Sequence, residues 1–257
     1  MYTTKNFVAK KPELISREIE SIKVSGIPVN KIFLADGDAL VLSTQRLLKI
    51  LEELKFAFPN IRRISAYARP KDIKAKSLQE LKELKHAGLN LLYTGLESGD
   101  DLVLKIMQKG ETSQSMAEAL IQSKQSGIKS SVMIINGLGG LKHSTQHALN
   151  SARLVNEIQP EYLSTLVLSF PFGIKHFQNR LQMDFTMPPT SELLDELGLF
   201  IANTNLDSSI FRSDHASNYL VLKGVLGKDK DLVLKKIADA INKPEETILR
   251  EEWQRGL

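Results

Sequence analysis

The chain has 257 residues, 42% of them hydrophobic and 25% charged, a net charge of +4 and no cysteine, enough for one barrel-sized core or two small ones. Without cysteine there is no disulfide, no thiolate nucleophile and no thiolate-held metal in this sequence; with no apolar run near the roughly 20 residues of a membrane span, the default reading is a cytoplasmic protein with no membrane partner. The positive charge lies in short clusters such as Lys71 to Lys76 among interspersed acids, which reads as a solvated face and not as a nucleic-acid surface.

In chain order, "MYTTKNF" leads almost at once into a helix from about Pro12 to Ser25. Gly26 stops it, since a helix end wants a left-handed residue and glycine supplies one without steric cost. An apolar strand begins near Lys31, "KIFLAD". Leu47, Leu48, Leu51 and Leu54 form a helical stripe, closed by Pro59-Asn60 before a strand near Arg62. Leu78, Leu81 and Leu84 repeat the pattern, with Gly88 as the stop and a strand from Asn90. Gly127 precedes a strand from Ser130, "VMIIN" at its heart. Ala148, Ala152, Val155 and Ile158 make the next stripe, closed by Gln159-Pro160 before a strand at Tyr162.

These starts recur about every 30 to 40 residues, the interval of a βα unit. Continuously apolar strands between amphipathic helices imply a parallel sheet, either curled into a (βα) barrel or open and doubly wound. The barrel is preferred because nearly every strand ends in polar or Gly-rich residues, and barrels gather their functional groups there.

Those ends are Asp36-Gly37-Asp38; Tyr67 and Arg69; Glu97-Ser98-Gly99-Asp100-Asp101; Asn136-Gly137 with Gly139-Gly140; and Pro171 with Gly173. Glycines let backbone donors approach a cofactor, and carboxylates grip ribose hydroxyls or an ammonium. Gly137, Gly139 and Gly140 do not fit the GxGxxG fingerprint. Asp36 and Asp38 suit either Mg²⁺ or a plain turn. His143 and His147 are four apart, but Ser144 stands where a zinc protease needs Glu, so both are read as surface helix residues. The polar run "FRSDHASNYLVLKG", 211–224, is either a lid over the strand ends or a charged loop.

Taken together, "IFLADGDALVL", "ISAYARPKDI", "LLYTGLESGDDLVLKIMQKG", "VMIINGLGG" and "FRSDHASNYLVLKG" resemble the radical S-adenosylmethionine (SAM) superfamily, in its elongator and coproporphyrinogen-oxidase-like branch. The resemblance implies an α/β fold, a partial parallel (βα) barrel of the TIM-barrel type that lacks its first strand. It would occupy residues 1–205, with 206–257 a C-terminal extension carrying the 211–224 loop and terminal helices. In that family a CxxxCxxC loop after the first strand holds a [4Fe-4S] cluster, which grips SAM and donates the electron that cleaves it to methionine and a 5′-deoxyadenosyl radical.

By the same resemblance Asp36-Gly37-Asp38 match the segment at the methionine amino group, where Gly-Gly-Glu is common. Glu97 and Ser98 match the segment facing the ribose, and Asn136, Gly137 and Gly139 the strand end near the adenine. Pro171-Phe172-Gly173-Ile174 departs from the family's Pro-Gly-Thr-Pro. Tyr67, Arg69, Arg212 and His215 fall on the substrate side, and no residue announces a particular substrate. The expected partners are a small-molecule substrate and an electron donor.

"MYTTKNFVAKKPEL" matches the segment that follows the third cluster cysteine, so the chain is expected to begin just past the cluster loop. On that reading the full-length form is the enzyme and these 257 residues alone are inactive. The strand from Lys31 to Asp36 is then expected to be an edge strand. Two alternatives stay open: a cluster-free paralogue acting as a binding or regulatory module, and a Mg-dependent barrel enzyme using Asp36, Asp38 and Glu97.

Overall fold

The computed structural model describes residues 8–255; the opening "MYTTKNF" and the last two residues lie outside the described residues. Its helices are α1 (Pro12–Val24), α2 (Thr44–Ala57), α3 (Pro70–Lys74), α4 (Leu78–Ala87), α5 (Asp101–Ile106), α6 (Ser113–Gln125), α7 (Gly140–Ile158), α8 (Ile174–Leu181), α9 (Thr190–Asn203) and α10 (Leu226–Asn242). The five expected strands form within one residue of their predicted starts, as β1 (Lys31–Leu34), β2 (Arg63–Tyr67), β3 (Leu89–Glu97), β4 (Lys129–Asn136) and β5 (Tyr162–Val167). Two more, β6 (Ile210–Ser213) and β7 (Leu222–Val225), form the two ends of the polar run, each extending one residue beyond it.

Among the described residues the strand order is β1-β2-β3-β4-β5-β6-β7, the order of the chain, with β1 at the edge as expected. Pairing is parallel for β1–β2, β2–β3, β4–β5 and β5–β6, and antiparallel for β6–β7. Strands taken in chain order are the topology of a partial (βα) barrel; a doubly wound sheet would reverse direction at a switch point. No helix among the described residues is long and apolar enough to cross a membrane.

The chain divides into two compact units, Met1–Tyr93 with Gln122–Lys129, and Thr94–Ile121 with Ser130–Leu257. In the first, Leu47, Leu51 and Leu54 of α2 and Leu81 and Leu84 of α4 are buried, as their spacing predicts, alongside Ile64 and Ala66 of β2. Gly88 caps α4 at φ 114°, a conformation costly to any residue with a Cβ. The other end of α4 carries a capping box: Ser77 Oγ accepts the Glu80 N–H, and the Glu80 carboxylate accepts the Ser77 N–H. Glu80 also accepts the Thr44 hydroxyl at 2.7 Å, which ties the starts of α2 and α4 together and helps hold its carboxyl down at about 2. Ser77→Ala is expected to remove about 1 kcal/mol of stability, read as a lower urea midpoint at constant m-value. An unchanged midpoint would show that the cap contributes nothing.

In the second unit α9 packs on both α7 and α10; Leu193, Leu197, Phe200 and Ile201 of α9, Ala148, Ala152 and Val155 of α7, and Val233 and Ile237 of α10 are all buried. The parallel register of β4, β5 and β6 brings residues 136–140, 168–173 and 214–218 to the same end of that sheet. That end is where a barrel carries its chemistry.

Candidate functional site

In the first unit β1 leaves through Asp36 at φ 63° and Gly37 at φ 128°, a left-handed pair that aspartate and glycine tolerate. The turn aims Asp38 inward. Its Oδ1 accepts the Leu40 N–H at 2.8 Å, and its Oδ2 accepts the Arg69 N–H at 2.6 Å and Arg69 Nε at 3.4 Å. Arg69 Nε also donates to Asp72 Oδ2 at 2.6 Å. Burial, then a hydrogen bond shared with the Asp72 carboxyl, push Asp38 up to about 6, against the pull of the two backbone donors. Asp38 and Arg69 thus come together and satisfy each other.

On the same strands Phe33, Tyr67 and Tyr93 form an aromatic cluster, with centroids 4.7 Å apart for Phe33–Tyr67, 5.2 Å for Phe33–Tyr93 and 6.3 Å for Tyr67–Tyr93. Tyr67 remains 51% exposed and Phe33 39%, so the cluster offers a face to solvent. Among the described residues no group of three or more His, Asp or Glu side chains is placed to hold a metal ion.

In the second unit Glu97 ends β3 in the left-handed region, φ 68°, and pairs with Lys109. The next three residues turn onto α7. Ser98 is fully buried; it sits 2.7 Å from His147 Nδ1 and accepts the Asp100 N–H at 3.0 Å. The Gly99 N–H donates to Ser151 Oγ at 2.9 Å. Asp100 caps α5 at Val103 and accepts from Asn150 at 2.5 Å and Gln146 at 3.1 Å. Burial opposes ionisation of Asp100, but these donors outweigh it and hold the carboxyl below its usual value.

His147 corrects the reading from sequence: it is 1% exposed, not a surface residue. Its position on α7 faces Ser98 and the Ile135 carbonyl, 3.0 Å from Nε2, so the ring finds both its partners inside the protein. A carbonyl beside Nε2 requires the proton there, leaving Nδ1 to accept the Ser98 hydroxyl. A serine with no exposure, donating to a histidine, is a packing element and not a nucleophile. Burial lowers His147 to about 4.

The β4 end is equally committed. Asn136 donates to the Leu193 carbonyl at 2.9 Å. The Gly137 N–H and the Ser144 hydroxyl both donate to Glu196, at 2.6 and 2.5 Å. Gly139 precedes α7, and a Cβ there would come 2.8 Å from the His143 carbonyl oxygen. Burial raises Glu196 to about 7. His147 Nε2 lies 3.7 Å from Glu196 Oε1, but with these shifts the two are neutral together between about pH 4 and 7. They are neighbours, not an ion pair.

The structure therefore gathers Ser98, Asn136, Gly137 and Gly139 around α7 and α9 in a buried hydrogen-bonded set, and leaves Glu97 with Lys109 outside it. Arg212 is exposed at the end of β6 and pairs with Asp214 at 3.7 Å, which also meets Lys223 at 3.1 Å; His215 follows, exposed. Sequence reasoning missed Asp72, Lys109 and Glu196. Glu196 carried a signal: it shares one helical face with Leu193, Leu197 and Phe200, and an acid on an apolar stripe needs partners when buried.

A family model described as the radical SAM superfamily matches residues 2–152. The heme chaperone HemW of Buchnera aphidicola subsp. Acyrthosiphon pisum (strain APS) is 24% identical over 157 residues, 60% of this chain and 40% of its own. Coproporphyrinogen III oxidase (HemN) from Escherichia coli has a similar structure, with a TM-score of 0.60 at 20% identity over 74% of this chain and 44% of that one. Elp3 from the archaeon Methanocaldococcus infernus gives a TM-score of 0.56 at 16% identity, over 87% of this chain and 58% of that one. The chain spans about 40% of the length of the curated relative, and likeness at these identities speaks for the fold.

Proposed function

The chain belongs to the radical SAM superfamily, and from that membership we propose that its strand ends serve an enzyme that cleaves SAM reductively, acting on a small molecule in the cytoplasm and fed by an electron donor. The [4Fe-4S] cluster of that chemistry needs soft thiolate ligands. These 257 residues contain no cysteine, so they do not fit the cluster and no step through it is assigned to them. By themselves they are expected to be inactive.

For SAM the fit falls on Glu97. It is the carboxylate of the expected contacts in its unit that keeps an accessible side chain, 29% exposed beside Lys109, and this observation carries the reading. A carboxylate there can accept from both ribose hydroxyls. Ser98, Asn136, Gly137 and Gly139 would shape the strand ends rather than grip the cofactor, because their polar atoms or free space are already taken. Bound SAM would supply the carbon–sulfur bond to be broken; the chain's own part is to orient it. In the first unit, Tyr67 with Phe33 offers a flat face for an apolar part of a substrate, while Arg69 is occupied by Asp38 and Asp72.

The test is release of 5′-deoxyadenosine under anaerobic reduction, after reconstitution with iron and sulfide. A form supplied with a CxxxCxxC segment ahead of Met1 is expected to release it, and the 257 residues alone are not. In the cluster-bearing form Glu97→Gln is expected to weaken SAM binding by about 1–3 kcal/mol, the worth of a charge-assisted hydrogen bond. Unchanged affinity with the fold intact removes Glu97 from the site.

One observation favours a second reading, a cluster-free binding or regulatory module: the cysteine count is zero. SAM or substrate binding by the 257 residues without any cluster, measured by equilibrium dialysis, would favour it.

A further inference from the structure

The loop that joins β6 to β7 is held by side chains from the end of the chain. Arg250 donates from Nη1 to the carbonyls of His215 at 2.5 Å and Asn218 at 3.2 Å, and from Nη2 to that of Asp214 at 3.3 Å. Its own backbone N–H donates to the Tyr219 carbonyl at 2.8 Å. Arg255 donates from Nε to the Ser217 carbonyl at 2.8 Å and lays its guanidinium 3.7 Å from the centre of the Tyr219 ring. Glu252 joins the two, accepting from Arg255 at 2.6 Å and from the Tyr219 hydroxyl at 3.0 Å. Of the carbonyls from Asp214 to Tyr219, only that of Ala216 receives nothing from these arginines. From the sheet side, Asn218 donates to the Thr165 carbonyl at 2.8 Å, and Ser217 Oγ accepts the Val167 N–H at 3.2 Å.

The loop's own backbone supplies one bond to these carbonyls, from the Asn218 N–H to His215 at 3.1 Å. The other bonds named above come from the two arginines, so the loop's local sequence does not by itself enforce its shape. Ordering two arginines to enforce it costs side-chain entropy. The consequence visible in the loop is the state of His215. The Ser217 N–H donates to His215 Nδ1 at 3.1 Å, and the Ser217 hydroxyl lies 2.9 Å from the same nitrogen. A ring nitrogen that accepts a backbone N–H carries no proton, so the neutral imidazole is held with its hydrogen on Nε2. His215 is exposed and follows β6, at the end of the sheet that carries 136–140 and 168–173. Arg212, Asp214 and Lys223 beside it sum to one positive charge.

We propose that Thr247–Arg255 is a positioning strap: Arg250 and Arg255 fix the 214–219 loop so that His215 presents Nε2–H as a directed donor to an anionic oxygen of the substrate. The proposal deepens the reading of these strand ends as a small-molecule site and rests on it. Arg250 and Arg255 act through the loop; His215 makes the contact.

Long-range ¹H–¹⁵N correlation of the imidazoles in the full chain tests it, with the His215 signals assigned by their disappearance in His215→Gln. The wild type is expected to show one His215 tautomer with Nε2 protonated, and that signal is expected to shift on titration with succinate. Arg250→Ala is expected to give averaged ring-nitrogen shifts, faster exchange of the Ser217 and Asn218 amides, and no succinate response. Arg255→Leu, which removes the bond to Ser217, the stacking on Tyr219 and the pairing with Glu252 but leaves Arg250 in place, is the second variant should Arg250→Ala fail to fold, with the same outcome expected. A His215 that keeps one tautomer in a folded variant overturns the strap. A fixed tautomer that ignores succinate overturns the donor role, and neither result touches SAM binding, which is measured separately through Glu97.

Discussion

Gly99→Ala is expected to lower folding stability by about 3 kcal/mol, the upper range for forcing an extra carbon into a packed interior. A Cβ on Gly99 would stand 2.5 Å from the carbonyl oxygen of Asn150 and 2.6 Å from the Cα of Ser151. Both are backbone atoms of α7, so no rotamer change relieves the clash; the 98–100 turn must lift off the helix. Lifting it also strains the buried bond of Ser98 to His147 and the part-buried one of Asp100 to Asn150, which are costly to leave unmade. Gly110 supplies the control, since it has φ 73° but nothing within 4 Å of its missing Cβ, and alanine there should cost only the conformational term of about 1–2 kcal/mol. Urea denaturation at constant m-value measures both. If Gly99→Ala costs no more than Gly110→Ala, the turn does not press on α7 as the distances say.

The contrast between those two glycines shows what a sequence can and cannot disclose. Gly26, Gly88 and Gly127 were readable as helix stops because the need for a left-handed residue is local, and all three have positive φ. Strand starts were readable for the same reason: apolar runs and turn residues are neighbours in the chain. β6 escaped because it alternates exposed Ile210 and Arg212 with buried Phe211 and Ser213, and β7 because Lys223 and Gly224 interrupt its apolar residues. β1 is equally short but carries Ile32, Phe33 and Leu34 in a row. A short strand without such a run reads as a polar loop.

The strand-end residues were visible as a set, but not their employment. Ser98, Asn136 and Gly137 meet partners 49, 57 and 59 residues away, and no local pattern encodes such pairings. His147 reads as a surface residue because Ser144 stands where a zinc protease needs Glu, which weighs against a metal site but says nothing about burial. Beside Ala148 and Ala152, the buried arc of α7 takes in Leu154 and the polar His147 and Ser151, the last two admitted because Ser98, Ile135 and Gly99 give them hydrogen bonds.

Glu196→Gln is expected to be more stable relative to the wild type at high pH than at low, the difference growing by about 3 kcal/mol as pH rises from about 4.5 through about 7. Burial holds the Glu196 carboxyl up at about 7 in the folded protein, against an ordinary value of 4.5. Between those two values the folded state keeps a proton that the unfolded chain releases, so stability falls as pH rises through the window. Glutamine has the shape of the protonated acid, still accepts the Gly137 N–H and never has to ionise, so the variant escapes that fall.

His147 works in the opposite direction, lowered to about 4 from 6.5: there the unfolded chain binds the proton and stability falls as pH drops. In the wild type the two slopes cancel between about pH 4.5 and 6.5, where one proton is exchanged for another. Removing Glu196 exposes the histidine slope, so the variant should show stability climbing with pH where the wild type is comparatively level. Subtracting one curve from the other cancels Asp38 and every other group the two proteins share. Urea midpoints at half-unit steps from pH 4 to 8 provide both curves. A flat difference would mean that Glu196 is ionised across the range, with the Gly137 N–H and the Ser144 hydroxyl outweighing burial, and that the turn at the end of β4 is anchored on a permanent charge.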